Sequence, residues 1–235
     1  MIDIHTHCLP FVDDGADSLE TGLEMLKSAK LNGAHTVAAT PHFYTGKIDV
    51  DSFLSKRNDA LSLVTESILN REYDYPRIVT GAEVYINSDI SEMENIKKLC
   101  YDNTDYMLLE IANGVETSSL SEWIYNLTII GVKPIIAHID RYAEYKKIMQ
   151  ELCGIDVVYQ LNASEFCGFW SFGDVKDIMK RHNKFVVSSD MHNLEKRPFN
   201  MHKAFDKAKK HFASAADIMF EEGAKKILEN KPFEF

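Results

Sequence analysis

The chain begins Met1-Ile2-Asp3-Ile4-His5-Thr6-His7. Ile2–His5 is a short apolar run of the kind that forms a buried strand. His5 and His7 lie two apart at its end, so both rings point to the same side of an extended backbone. That is sound geometry for two imidazoles on one metal ion. Further runs occur at Thr36–Ala39, Arg77–Thr80, Tyr106–Glu110, Pro134–Ala137, Val157–Leu161 and Lys184–Ser188. Most are rich in Val and Ile, as buried parallel strands are.

Helical patterns lie between these runs. Leu19, Leu23 and Leu26 recur at helical spacing after Asp17 and Ser18, either of which can cap. Leu54, Leu61, Val64 and Ile68 form a second stripe. Leu120, Trp123, Leu127 and Ile130 form a third, with Gly131 at its end. Val175, Ile178 and Met179, then Met201, Ala204, Phe205 and Ala208, mark two more, and a last helix is expected over Ala215–Glu229. Strands alternating with helices imply a parallel sheet with right-handed crossovers. Seven such units without a break in composition predict a closed barrel, with an open doubly wound sheet as the alternative.

The residues at the end of each strand carry the chemistry. His5 and His7 close the first run, and His42 comes after the second, beyond Thr40-Pro41. Glu83 comes after the third, Glu110 ends the fourth, His138 comes after the fifth, and Asp190 and His192 after the last. In a parallel barrel all these ends open on one face, where active sites are built. Mixed imidazole and carboxylate without thiolate suits Mn²⁺, Fe or Zn²⁺ and argues against a structural zinc knot. So many ligands exceed what one ion needs, which implies two or three divalent ions with a bridging carboxylate. Such a site suits hydrolysis of a phosphate ester.

Composition narrows the classes. The chain has 235 residues, 45% of them hydrophobic, and a net charge of −10 from 36 acidic and 26 basic side chains. That surface disfavours nucleic acid as a partner. The four cysteines, Cys8, Cys100, Cys153 and Cys167, form no CxxC pair, which fits a reducing compartment. A cysteine-based phosphatase needs an arginine six positions after its nucleophile; those positions hold Asp14, Tyr106, Tyr159 and Gly173. There is no P-loop. With neither a signal-peptide pattern nor a membrane-length apolar run, the expectation is a cytoplasmic protein not embedded in a membrane.

His5-Thr6-His7, Val12-Asp13-Asp14-Gly15-Ala16, Ala39-Thr40-Pro41-His42, Gly81-Ala82-Glu83 and Ser189-Asp190-Met191-His192 together resemble the polymerase and histidinol phosphatase (PHP) superfamily. Val12–Ala16 and His138-Ile139-Asp140-Arg141 point within it to the manganese-dependent protein-tyrosine phosphatases of bacterial capsule and exopolysaccharide operons. The resemblance runs the length of the chain and implies one domain over residues 1–235, a distorted seven-stranded TIM-like (β/α)7 barrel with three metal ions. It implies His5, His7, Glu83 and Asp190 around the first ion, and Glu83 bridging to a second held by Glu110 and His138. Asp14, His42 and His192 would hold the third. Arg141 matches the arginine that grips phosphate, a role its planar fork suits, and His42 and Asp190 join it as catalytic candidates. Ile139 and Asp140 stand where the family usually has proline and glutamate, Phe11 where glycine is common, and Cys8 where an aliphatic residue is usual; none removes a ligand.

The expected substrate is a phosphotyrosine protein, in particular a bacterial tyrosine kinase regulating polysaccharide synthesis. The alternatives are a small-molecule phosphatase of the histidinol phosphatase kind and a non-catalytic regulatory binding protein. His35, His182, His202 and His211 are read as structural or surface residues.

Overall fold

The computed structural model describes residues 1–168 and 172–234. Its strands are β1 (Ile2–Thr6), β2 (Thr36–Ala39), β3 (His42–Tyr44), β4 (Arg77–Thr80), β5 (Glu83–Ile86), β6 (Tyr106–Ile111), β7 (Lys133–Ile136), β8 (Val158–Asn162) and β9 (Phe185–Ser188). The seven expected runs match strands to within a residue at either end. Between them lie α1 (Leu19–Leu31), α2 (Val50–Leu69), α3 (Thr117–Ile129), α4 (Tyr145–Glu151), α5 (Ala163–Cys167) and α6 (Phe172–Arg181), followed by α7 (Met201–Phe212). Ser18 is the cap of α1, its hydroxyl accepting from Thr21 N. Gly131 ends the α3 region at φ +86°, a left-handed value that suits glycine.

The expected last helix is interrupted. Ser214–Asp217 and Gly223–Leu228 are α-helical, and Ile218–Glu222 between them forms a π turn. The structure also departs from one continuous seven-stranded sheet. Every ladder among the described residues is parallel, but the strands fall into two sheets, β1-β2-β4 and β3-β5-β6-β7-β8-β9. The division arises at Thr40-Pro41 and Gly81-Ala82, which separate β2 from β3 and β4 from β5. Pro41 has no N–H to give a ladder. At Gly81 a Cβ would lie 2.9 Å from the Tyr101 ring, so the backbone there passes close against that buried side chain. His42 and Glu83, expected beyond the ends of strands, instead begin the short strands β3 and β5.

Hydrogen bonds cross these breaks. Gly81 N donates to Ala39 O at 3.0 Å and Glu83 N to Pro41 O at 3.1 Å. The outer edges meet as well: Asp190 N donates to His5 O at 3.0 Å, His7 N donates to Met191 O at 2.9 Å, and Thr6 bridges to Met191 in parallel. Ile4, Ala38, Val79, Leu108, Ile135, Val158 and Val186, one from each of β1, β2, β4, β6, β7, β8 and β9, share a buried cluster with Ile227 and Phe233. A larger cluster packs the helices against the strands, with Leu23, Leu26, Val64, Leu120, Ile124 and Phe166 buried in it. No helix among the described residues is long and apolar enough to cross a membrane.

Candidate metal centre

Period-two alternation extends the faces of the buried strands toward their C-terminal ends with polar groups: Leu108 is followed by Glu110 and Val158 by Gln160. His5, His7, His42, Glu83, Glu110, His138, Asp190 and His192 all converge at those ends. His5 Nε2 and His7 Nε2 face each other at 3.1 Å. Glu83 Oε2 lies 3.1 Å from the first and 3.2 Å from the second, and Asp190 Oδ1 lies 3.5 and 3.6 Å away. His138 Nε2 is 2.8 Å from Glu83 Oε1 and 3.7 Å from Glu110 Oε1. Asp14, 65% exposed, approaches from the loop after β1, with Oδ1 3.6 Å from His42 Nε2 and 3.5 Å from His192 Nε2.

Three groups with mutually close ligand atoms form among the described residues: His7, Asp14, His42 and His192; His5, His7 and Asp190; and His42, Glu83 and Glu110. Within each, the ligand atoms lie within 4.8 Å of one another. The sequence expectation paired His138, not His42, with Glu83 and Glu110, and both imidazoles reach those carboxylates. Asp190 Oδ1 and His192 Nε2 are buried without a hydrogen-bond partner, and so is His42 Nδ1, which lies 3.1 Å from Glu83 but out of line for a hydrogen bond. Imidazole nitrogens and carboxylate oxygens that converge in this way, unsatisfied by protein donors, form a donor set suited to divalent cations.

The backbone is bent to deliver these groups. His138 and Asp190 follow β7 and β9 with φ of +30° and +53°, values rare outside glycine and asparagine that cluster at functional sites. Gly15 packs so closely on His7 that a Cβ there would lie 2.1 Å from His7 O and 2.4 Å from His7 Cβ. The loop Val12–Ala16 therefore requires glycine for a steric reason.

Several residues that sequence reasoning left without a role support the cluster. Asp13 Oδ2 accepts from His7 Nδ1 at 2.6 Å and from His42 N at 2.9 Å. Gln160 Oε1 accepts from His138 N at 2.8 Å and from His5 Nδ1 at 3.0 Å. Asp190 Oδ2 receives Arg141 at 3.0 Å and also pairs closely with Arg197. Arg197 is brought there by Asn193, whose Oδ1 accepts from the backbone N–H groups of Glu195, Lys196 and Arg197. The pair Asp13-Asp14 and Arg141 carried a signal in the sequence; Gln160 and Arg197 carried none. His35 pairs with Glu221 at 2.9 Å and His182 packs edge-on against Tyr159, while His202 and His211 lie in α7; none belongs to the three groups.

Electrostatics reflect this crowding. Burial opposes a charge on His7, but the Asp13 and Glu83 carboxylates together outweigh it and hold the pKa at about 10. Burial, reinforced by Glu83, pushes Glu110 up to about 7. Burial and neighbouring His7 push His192 down to about 3. Burial acts against Asp190, yet His5 and the surrounding cations bring it to about 2. A cavity of ≈ 310 Å³ opens over the cluster, lined by Asp14, His42, Tyr44, Glu83, Tyr85, Glu110, His138, Arg141 and Arg197. A larger cavity of ≈ 720 Å³ between residues 111–118 and 141–148 shares only Arg141 with it and contains none of the candidate ligands.

Parallel strands whose carboxyl ends gather His, Asp and Glu define an α/β protein with a candidate metal centre. The chain belongs to the CpsB/CapC family of capsular polysaccharide synthesis, whose sequence model matches residues 1–229. Tyrosine-protein phosphatase CpsB of Streptococcus agalactiae serotype V is 29% identical over 243 residues, covering 98% of this chain and 99% of that protein. Tyrosine-protein phosphatase YwqE of Bacillus subtilis (strain 168) is 27% identical over 244 residues, covering 98% and 92%. The fold is similar to a chain from the crystal structures of YwqE from B. subtilis and CpsB from Streptococcus pneumoniae, described as unique metal-dependent tyrosine phosphatases. The TM-score is 0.84 at 24% identity, over 100% of this chain and 96% of that one.

Proposed function

We propose that this chain is a metal-dependent protein-tyrosine phosphatase acting on a phosphotyrosine protein, with a bacterial tyrosine kinase of polysaccharide synthesis as its substrate. The observation that carries this reading is the approach of His5 Nε2 and His7 Nε2 to 3.1 Å with Glu83 Oε2 beside both. In this reading His5, His7, Glu83 and Asp190 hold one divalent ion, and Glu83, Glu110 and His138 hold a second. Asp14, His42 and His192 hold a third, with Mn²⁺ as the native metal. When bound, such ions supply Lewis acidity and lower the pKa of water.

The protein's own groups then have defined tasks. Asp13 and Gln160 fix the tautomers and directions of His7 and His5, as groups hydrogen-bonded to metal-binding histidines do. Arg141, half-exposed at the mouth and shared by both cavities, turns from Asp190 Oδ2 to grip the phosphoryl oxygens. Arg197 stays on Asp190 and keeps that carboxylate oriented. A tyrosyl oxygen leaves readily, its parent phenol having a pKa of about 10, so the demand for a general acid is modest.

The same reading takes residues 1–235 as one domain, cytoplasmic, with β2 and β3, and β4 and β5, as two interrupted strands of one distorted seven-stranded barrel. The hydrogen bonds across Thr40-Pro41 and Gly81-Ala82 and the contact of β1 with Asp190 and Met191 support it. The test is turnover of p-nitrophenyl phosphate and a phosphotyrosine peptide, after chelation and after return of Mn²⁺. Restored activity on both, lost in His5→Ala, is expected. Turnover of histidinol phosphate alone would favour the small-molecule phosphatase. Bound metal without any turnover would favour a binding protein.

A further inference from the structure

The cavity over the cluster is lined almost wholly by ionisable groups. Apart from Tyr44 and Tyr85, each described residue in its wall is a histidine, a carboxylate or an arginine. Metal binding and phosphate binding explain those groups; neither explains two aromatic rings.

Their position is set by strand register. His42 pairs with Glu83 in the β3–β5 ladder, and two residues further on Tyr44 pairs with Tyr85. Residues two apart on a strand share a face, so each tyrosine stands over a candidate ligand, ~6.6–6.8 Å nearer the mouth. Tyr85 is in turn beside Glu110 on β6. The rings meet at 5.5 Å and 59°, forming a corner. Tyr44 is held there by His42, stacked at 5.2 Å, and by Lys47 Nζ, 4.1 Å from its centroid. Both tyrosines are partly exposed, so ring surface is available to a ligand.

We infer that Tyr44 and Tyr85 form the subsite for the aromatic ring of an aryl phosphate ester and set the preference for phosphotyrosine over alkyl phosphates. The inference rests on the phosphatase reading and adds the determinant of its substrate class. A phosphate held at the level of His42 and Glu83 carries its ester group outward, to the level of the tyrosines. There a substrate ring meets the corner in the tilted or edge-to-face arrangements that aromatic rings favour. A seryl or small aliphatic ester offers no such surface.

Calorimetric titration of the Mn²⁺-loaded full chain with phenylphosphonate and methylphosphonate tests this without turnover. Phenylphosphonate is expected to bind about tenfold more tightly, the order of an aromatic contact with its buried area. Tyr44→Ala and Tyr85→Ala should bring the ratio of the two Kd values toward one, while Tyr44→Phe and Tyr85→Phe keep it. A structural role for Tyr44 in holding His42 would weaken both ligands together and leave the ratio unchanged, which overturns the inference. Equal Kd values in the unaltered protein overturn it without any variant. Failure of both phosphonates to bind the metal-loaded chain overturns the phosphatase reading itself.

Discussion

Asp13 Oδ2 accepts a 2.6 Å hydrogen bond from His7 Nδ1, and the same oxygen accepts from His42 N at 2.9 Å. One buried carboxylate thus links the loop after β1 to the first residue of β3. With Nδ1 fixed as the donor to Asp13, the second proton of the His7 imidazolium sits on Nε2, toward Glu83 and His5, and its loss frees the lone pair for a metal ion. Asp13→Ala is expected to lower metal affinity about 10- to 100-fold, the usual effect of removing a carboxylate behind a liganding histidine. Competition with a chromophoric chelator measures this; unchanged affinity would leave Asp13 without a part in metal binding.

Arg141 and Arg197 meet on Asp190 Oδ2 but are expected to separate in function. Arg141→Ala should lower kcat/KM on a phosphotyrosine peptide by about 10²-fold, the scale for losing one donor to transition-state charge. Metal content should stay intact, since Arg197 still holds Asp190. Arg141→Lys should recover little, because a point charge lacks the planar fork. Metal analysis beside steady-state kinetics separates this outcome from a loss of ions.

Metal uptake is expected to release protons. In the metal-free protein His7 holds its proton up to about pH 10 and Glu110 up to about 7, and a bound cation displaces both. Apparent affinity should therefore fall as pH is lowered from 8 toward 6, by about tenfold per pH unit for each proton displaced, His7 contributing throughout and Glu110 only below about 7. Calorimetry in buffers of different ionisation enthalpy counts the protons directly. Uptake without proton release would show that these residues do not take up the ions.

Gln160 ties His5 on β1 to His138 beyond β7 through a single carbonyl oxygen. Gln160→Leu leaves two buried donors unpaired, at about 1–3 kcal/mol each. Thermal unfolding of the metal-free protein should move down by about 2–4 °C for each kcal/mol lost. An unchanged transition would mean that the two donors find other acceptors.

The contrast between these residues explains what the sequence could carry. The ligands were legible because hydrophobic strands announce themselves, and a histidine or carboxylate at a buried strand's end is conspicuous. Gln160 lies within such a strand and looks like a polar residue there; only the fold brings it, across 155 positions, to His5. Arg197 resembles any surface arginine until Asn193 turns its loop back over Asp190. The short strands β3 and β5 were hidden because Thr40-Pro41 and Gly81-Ala82 read as ends, when they are interruptions that the neighbouring chain continues across. The π turn at Ile218–Glu222 leaves hydrophobic spacing close to that of an ordinary helix, so nothing in the pattern marked it.

Side chains from the ends of separate strands are proposed to hold divalent ions together, and anomalous diffraction from crystals grown with Mn²⁺ tests this most directly. Two or three peaks are expected: between His5, His7, Glu83 and Asp190, beside Glu110 and His138, and beside Asp14, His42 and His192. Each should lie about 2.0–2.3 Å from its nitrogen and oxygen ligands. An empty cluster in Mn²⁺-saturated crystals, or manganese bound elsewhere on the chain, would contradict the proposal.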